Sequence, residues 1–201
     1  MKKILPIVLC TTLAACGGTT VIDTNNAEQV SEMKNTMQLE YRDWVKTAEH
    51  MTDSMLKSGA FAKVKNPVIA VSDIKNDTMQ RIDSDILIKK IRTTIVNSGH
   101  AQIATNFIGE DTTSNTVRNT RGNSEYDQST FVSKGTLVAP NMSLSGKMIQ
   151  RNLDIDSGWF SRVDTRVEYY LQLTLTDLKT GLSVWEDEQP ILKTGTDAPN
   201  W

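Results

Sequence analysis

Two histidines, two cysteines and two groups of carboxylates are the residues in this chain best suited to carry chemistry. Zinc needs several His, Cys or carboxylate ligands that converge, commonly in short-spaced pairs. His50 and His100 stand fifty positions apart, and neither has a cysteine or a second histidine at ligand spacing. Carboxylates cluster at Asp154 with Asp156 and at Glu186 with Asp187 and Glu188, and a glycoside hydrolase sets such a pair across a cleft. Both fall at the ends of predicted strands, where charges are ordinarily solvated. The glycines form neither a G-x-G-x-x-G nor a P-loop pattern. The sequence therefore predicts no enzyme, no metal, no cofactor and no small-molecule substrate. A binding module is the stronger class.

Cys16 is the one position with a clear covalent fate. Lys2 and Lys3 supply a basic start, Ile4 to Ala15 a short apolar segment, and Ala14 and Ala15 small residues just before the cysteine. This is the layout of a secretory signal. The segment is too short to span a bilayer as a helix, which takes roughly 20 residues. Leu-Ala-Ala-Cys resembles a bacterial lipobox, which implies cleavage before Cys16 and acylation of that residue. Several acyl chains anchor stably where one binds only marginally. Cys10 leaves with residues 1–15, so the mature chain has no partner for an internal disulfide.

About 185 residues then remain, enough for one domain with a core. Without Lys2 and Lys3 the balance is 20 basic against 24 acidic residues. That mild acidity gives no footprint for nucleic acid. Residues 16–35 are small and polar and read as the lipidated cysteine plus a flexible tether. Fully extended, such a tether reaches at most roughly 65 Å. The globular domain is assigned to residues 36–201.

Within that domain, Met37, Tyr41, Trp44, Ala48, Met51 and Met55 recur at helical steps, which predicts a helix over 36–58. "VIAV" at 68–71 predicts a strand buried on both faces. Leu87, Ile88, Ile91 and Ile95 predict a second helix, capped by Asp83 or Ser84 and stopped by Gly99. Residues 101–107 alternate as a strand. Residues 109–130 are almost wholly polar, a loop or a weakly held helix, with a short helix expected near Phe131. "MSLSGKMIQR", 142–151, is a further strand. Val167, Tyr169, Leu171, Leu173 and Leu175 alternate strictly with polar partners and predict a half-buried antiparallel strand. "DLKTG" turns it into a hairpin with "LSVWED". The expected fold is α+β: a single domain, a mixed or antiparallel sheet of four or five strands, with helices packed on it.

"PVIAVSDIKNDT" before a helix, "GTLVAPNMSLSGKM" and "EYYLQLTLTDLKTGLSVWED" together resemble the LpoB family of penicillin-binding protein activators. The resemblance covers roughly residues 36–193. It implies an outer-membrane lipoprotein on the periplasmic face that is not itself an enzyme. The implied partner is a small docking domain of a bifunctional class A penicillin-binding protein, whose peptidoglycan synthesis it stimulates. Gly17 and Gly18, with no aspartate after the cysteine, are similar to outer-membrane sorting signals. The hairpin also resembles those of TolB N-terminal domains and CsgG-like secretion lipoproteins, so an envelope-assembly protein that oligomerises is the alternative. The best-known activators carry a long proline-rich tether, and this one is short and nearly free of proline. By resemblance the partner surface includes 141–147, with Asn141, Ser143 and Lys147, together with the neighbouring polar stretch 115–130. Arg118, Arg121, Lys134 and Arg151 add positive charge suited to steering an acidic docking domain. Trp159 with Phe160, in a polar loop, and Tyr170, on the polar side of its strand, are further candidates.

Overall fold

The computed structural model describes residues 22–23, 26–32, 36–107, 111–155 and 164–195. The chain divides into two units, Met1–Asn35 and Thr36–Trp201. In the first, Ala27–Glu32 form a short helix, α1. Composition predicts only a polar tether here. The local signal is Asn26, whose side-chain oxygen accepts from the backbone N–H groups of Glu28 (3.0 Å) and Gln29 (3.3 Å), the capping geometry that asparagine favours.

The second unit is built on helices α2 (Tyr41–Lys57), α3 (Asp85–Ser98) and α4 (Thr112–Asn119). Its strands are β1 (Val68–Asp77), β2 (Gln102–Ile103), β3 (Met142–Ile155), β4 (Asp164–Asp177) and β5 (Leu182–Gly195). They form one sheet in the order β2-β1-β3-β4-β5. β1 runs parallel to β2 and to β3, while β3, β4 and β5 are an antiparallel meander. The result is the expected α+β architecture with a mixed five-stranded sheet.

Apolar periodicity explains which faces are buried. Trp44, Ala48, Met51 and Met55 of α2, and Leu87, Ile88, Ile91 and Ile95 of α3, all enter the core. Both helices cover the sheet face that carries Leu171, Leu173 and Leu175 of β4. All four residues of "VIAV" are buried, as expected for a strand inside the sheet. Gly99 ends α3 in the left-handed conformation (φ 70°). Gly181 does the same in the β4–β5 turn (φ 72°), where a side chain would be strained.

Gly146 is required for a different reason. It faces Leu173 across the β3–β4 ladder. A Cβ there would stand 2.5 Å from Leu173 Cδ2 and 2.7 Å from the Gln172 carbonyl oxygen. Leu173 thus occupies space that any other residue at 146 would need. Gly146→Ala is expected to destabilise the domain by about 1–3 kcal/mol, the usual cost of overpacking, read as a lowered midpoint in urea.

Several boundaries differ from the sequence reading. The first large helix begins at Tyr41, where the Glu40 N–H donates to Asp43 Oδ2 (2.9 Å), so Met37 precedes it. Tyr41 itself is 44% exposed. The alternation at 101–107 yields only two paired residues. The Ala104 N–H still reaches the Ile69 carbonyl (2.9 Å), but Phe107 is 67% exposed. Near Phe131 a 3-10 turn forms at Gln128–Thr130 instead of a helix, capped by Asp127, and Phe131 packs edge-on against Tyr126 at 6.0 Å.

The start of this unit is fastened to the end of the sheet. Tyr169 donates from its hydroxyl to the Met37 carbonyl (3.0 Å) and accepts from Gln80 Nε2 (2.8 Å). Burial, with the Asp43 carboxylate nearby, pushes the Tyr169 hydroxyl up to about 12. The Lys193 ammonium donates to the carbonyls of Thr36 and Gln38 and pairs with Asp43. Residues 36–38 are thereby held by β4 and β5 before α2 begins.

Candidate functional site

Strand geometry assigns the candidate residues to faces. Residues directly opposite in an antiparallel ladder share a face, and successive residues alternate. Leu171, Leu173 and Leu175 face the helices, so Tyr170, Gln172 and Thr174 face away. Their β3 partners are Ile149, Lys147 and Ser145, and Arg151 pairs with Glu168 and Ser143 with Thr176. On β1, Lys75 lies beside Lys147 and Asp77 beside Ile149. On β5, Glu188 pairs with Gln172 and Glu186 with Thr174. Ser143, Lys147, Arg151 and Tyr170, which lie apart in the sequence, therefore occupy one outer face of the sheet.

That face is ordered by short polar contacts. Lys147 Nζ lies 2.7 Å from Asp77 Oδ2. This hydrogen bond and charge, helped by Lys75, hold the Asp77 carboxyl below the usual carboxylate range. The Tyr170 hydroxyl donates to Glu168 Oε2 (2.7 Å), which raises the Tyr170 hydroxyl above its ordinary value. Arg166 Nε pairs with Glu168 Oε1 at 3.0 Å. Gln172 Nε2 donates to Glu188 Oε2 at 2.6 Å. Lys75, Lys147 and Arg151 stand on β1 and β3, with Asp77 among them and paired to Lys147, while Glu186 and Glu188 stand on the edge strand β5.

Glu168 is the residue that sequence reasoning missed. Its place in the alternation predicts a solvated carboxylate, yet only 7% of it is exposed. Arg166 and Tyr170, two residues away on either side, supply its partners. A buried carboxylate is tolerated when its oxygens are paired in this way. The signal was present as Arg-x-Glu-x-Tyr on the polar side of one strand. Lys75 and Asp77 were also missed, because only the sheet order brings β1 alongside β3; Glu188, read from the sequence as one of a carboxylate group, is carried to the same face by β5.

The other candidates lie elsewhere. The Asn141 side chain serves the fold: Oδ1 accepts from the Val68 N–H (2.8 Å) and Nδ2 donates to the carbonyls of Asn66 (3.0 Å) and Lys65 (3.3 Å). It locks the turn before β1, where Asn66 has a positive φ of 50°. Arg118 is on α4, which has no buried residue, and Arg121 reaches the Ser133 carbonyl at 3.4 Å. Trp159 with Phe160, Asp156 and Cys16 lie outside the described residues.

His50 and His100 are both exposed. Among the described residues no three His, Cys, Asp or Glu side chains group as a metal site. No helix among them is long and apolar enough to cross a membrane. Glu186, Asp187 and Glu188 lie along β5, where successive side chains point to opposite faces.

A family model described as peptidoglycan-synthase activator LpoB matches residues 43–191. No curated protein matches the chain. Among solved structures, the LpoB C-terminal domain from Salmonella enterica is 15% identical, with 74% of this chain and 98% of that one covered and a TM-score of 0.43. The corresponding domain from Escherichia coli is 13% identical, with the same coverage and TM-score. An NMR structure of E. coli LpoB is 14% identical, covering 96% of this chain and 91% of that one, with a TM-score of 0.40.

Proposed function

This chain belongs to the LpoB family of peptidoglycan-synthase activators, and from that premise we propose that it binds and stimulates a class A penicillin-binding protein through the outer face of its sheet. The observation that carries this reading is the gathering of Lys147, Arg151, Tyr170 and Glu168 on that face, away from both core helices. The protein performs no catalysis in this reading. It is an allosteric ligand: its binding free energy is greater for an active conformation of the synthase than for a resting one, and only that difference shifts the enzyme.

The chemistry of the face sets the chemistry of the partner. The β1–β3 side presents Lys75, Lys147 and Arg151 and suits an acidic surface on a small non-catalytic docking domain. Complementary charge of this kind raises the association rate and fixes the orientation of the complex. Tyr170 offers an aromatic surface at the centre of the face, and such residues are enriched among those that dominate binding energy. Adding the purified protein to the cognate synthase should accelerate both glycan polymerisation and peptide cross-linking. A synthase whose rates do not change at saturating protein would refute the assignment.

Residues 1–15 are proposed to be a signal peptide and Cys16 the lipidated first residue of the mature chain, held at the periplasmic face of the outer membrane. Cys16→Ala is expected to abolish incorporation of a labelled fatty acid and leave the precursor uncleaved. Label retained in that variant would overturn the anchor.

A further inference from the structure

β5 forms one rim of the sheet, with β4 as its one strand neighbour among the described residues. It is 14 residues long. An edge of that length offers its unpaired N–H and C=O groups as a template for another strand. From Trp185 to Gly195 its register with β4 is unbroken. In such a ladder the backbone groups of alternate residues turn to the neighbouring strand, and those of the residues between them turn to the rim.

Two observations decide which residues face the rim, and they agree. The Glu188 N–H donates to its neighbour's side chain, Asp187 Oδ1, at 2.9 Å, so it is not spent on β4. Pro190, two residues on, stands opposite Tyr170 in the ladder and has no N–H. A proline is tolerated there only with its nitrogen turned to the rim. Glu186, Glu188, Pro190 and Leu192 therefore present their backbone outward. The Glu188 donor is occupied and the next does not exist. From the Glu186 N–H to the Leu192 N–H, about 20 Å along the strand, the rim offers an incoming strand no free donor. A strand laid there would bury carbonyls of its own without partners, which is destabilising. Charge acts in the same direction. Two copies meeting antiparallel at this stretch would set Glu186, Asp187 and Glu188 of one against those of the other, and like charges directly opposite repel.

We propose that Asp187 and Pro190 close the β5 rim to strand addition, so that two copies of the chain do not join edge to edge into one continuous sheet. Asp187 acts twice, by occupying the Glu188 N–H and by its charge. The long side of the sheet is thereby removed as an interface, and partners meet the domain by its outer face. The membrane anchor proposed at Cys16 gives the closure its use. Chains confined to one surface meet at a high effective concentration, and an open strand edge would pair there.

The test uses the full chain in detergent and reads its mass by sedimentation together with amide exchange along 186–194. The wild type should sediment as a monomer, with exchange at Glu186, Leu192 and Thr194 that does not depend on protein concentration. Asp187→Val combined with Pro190→Thr should tighten self-association by about tenfold or more, since each copy regains two donors, and protection of 186–194 should then grow with concentration. Pro190→Thr alone, at an exposed position, should move the same way by less. Leu192→Pro added to the double variant removes another outward donor without touching the ladder to β4, and should restore the monomer. Exchange in β3 should be unchanged throughout, which separates opening of the rim from loss of the fold. Self-association of the wild type through 186–194 would overturn the proposal. So would variants that stay as monomeric as the wild type, or an association that Leu192→Pro does not reverse.

Discussion

Leu173→Ala is expected to cost the domain about 2–5 kcal/mol, the range for removing a buried leucine side chain. Leu173 is 2% exposed at the centre of β4, beneath both core helices. Its δ-carbon fills the space above Gly146, which has no side chain of its own to move into a vacancy. Such a site collapses poorly, and the cost rises with the cavity that remains. Urea denaturation of the soluble form should show a lowered midpoint with an unchanged slope. A loss below about 0.5 kcal/mol, far under that range, would mean that the inward face of β4 is misassigned. Every residue placed on the outer face would then be misassigned with it, because a shift of one position moves a whole strand's side chains to the opposite side.

The second large effect concerns the outer face. Lys147→Glu combined with Arg151→Glu should leave the circular dichroism spectrum unchanged and abolish most of the stimulation of the cognate synthase. Lys147 is paired with Asp77 across the surface, and Arg151 is exposed, so neither is part of the core. Replacing two attractive charges by repulsive ones against an acidic partner costs about 3 kcal/mol, on the order of 100-fold in affinity. The deficit should be greatest at low salt, since exposed charges are screened beyond roughly 10 Å at 0.1 M ionic strength. Full stimulation at every salt concentration would exclude this face. Arg118→Glu with Arg121→Glu is the companion variant. A matching loss would extend the docking surface to α4 and the turn after it, and no loss would confine it to the sheet.

Much of the fold was legible because periodicity reports burial directly. The inward residues of α3 were readable one by one, since four apolar side chains at helical spacing can be buried together only as a helix. The β4–β5 hairpin was equally plain from five strict alternations and a turn ending in Gly181. The pattern at 101–107 misled because alternation describes an extended chain and does not say whether a neighbouring strand supplies hydrogen-bond partners. Tyr41 misled similarly: it has helical spacing but stands at the helix's first residue, where it is exposed.

The sequence by itself determined the family: the stretches at 67–78, 135–148 and 168–187 resemble LpoB, and the family model matches residues 43–191. It also determined the α+β architecture and the side of each strand that is buried, since these follow from local spacing. The composition of the outer face was decided only by the tertiary structure. β1 runs parallel to β3 while β4 and β5 run antiparallel, and that order sets Lys75 and Asp77 beside Lys147 and Glu188 beside Gln172. It also shows Asn141 bonded to the turn at 65–68, through contacts 73 to 76 residues away in the chain. Pairing between strands depends on which distant segments meet, and the free energy of that meeting is a property of the whole packed sheet rather than of any window of residues.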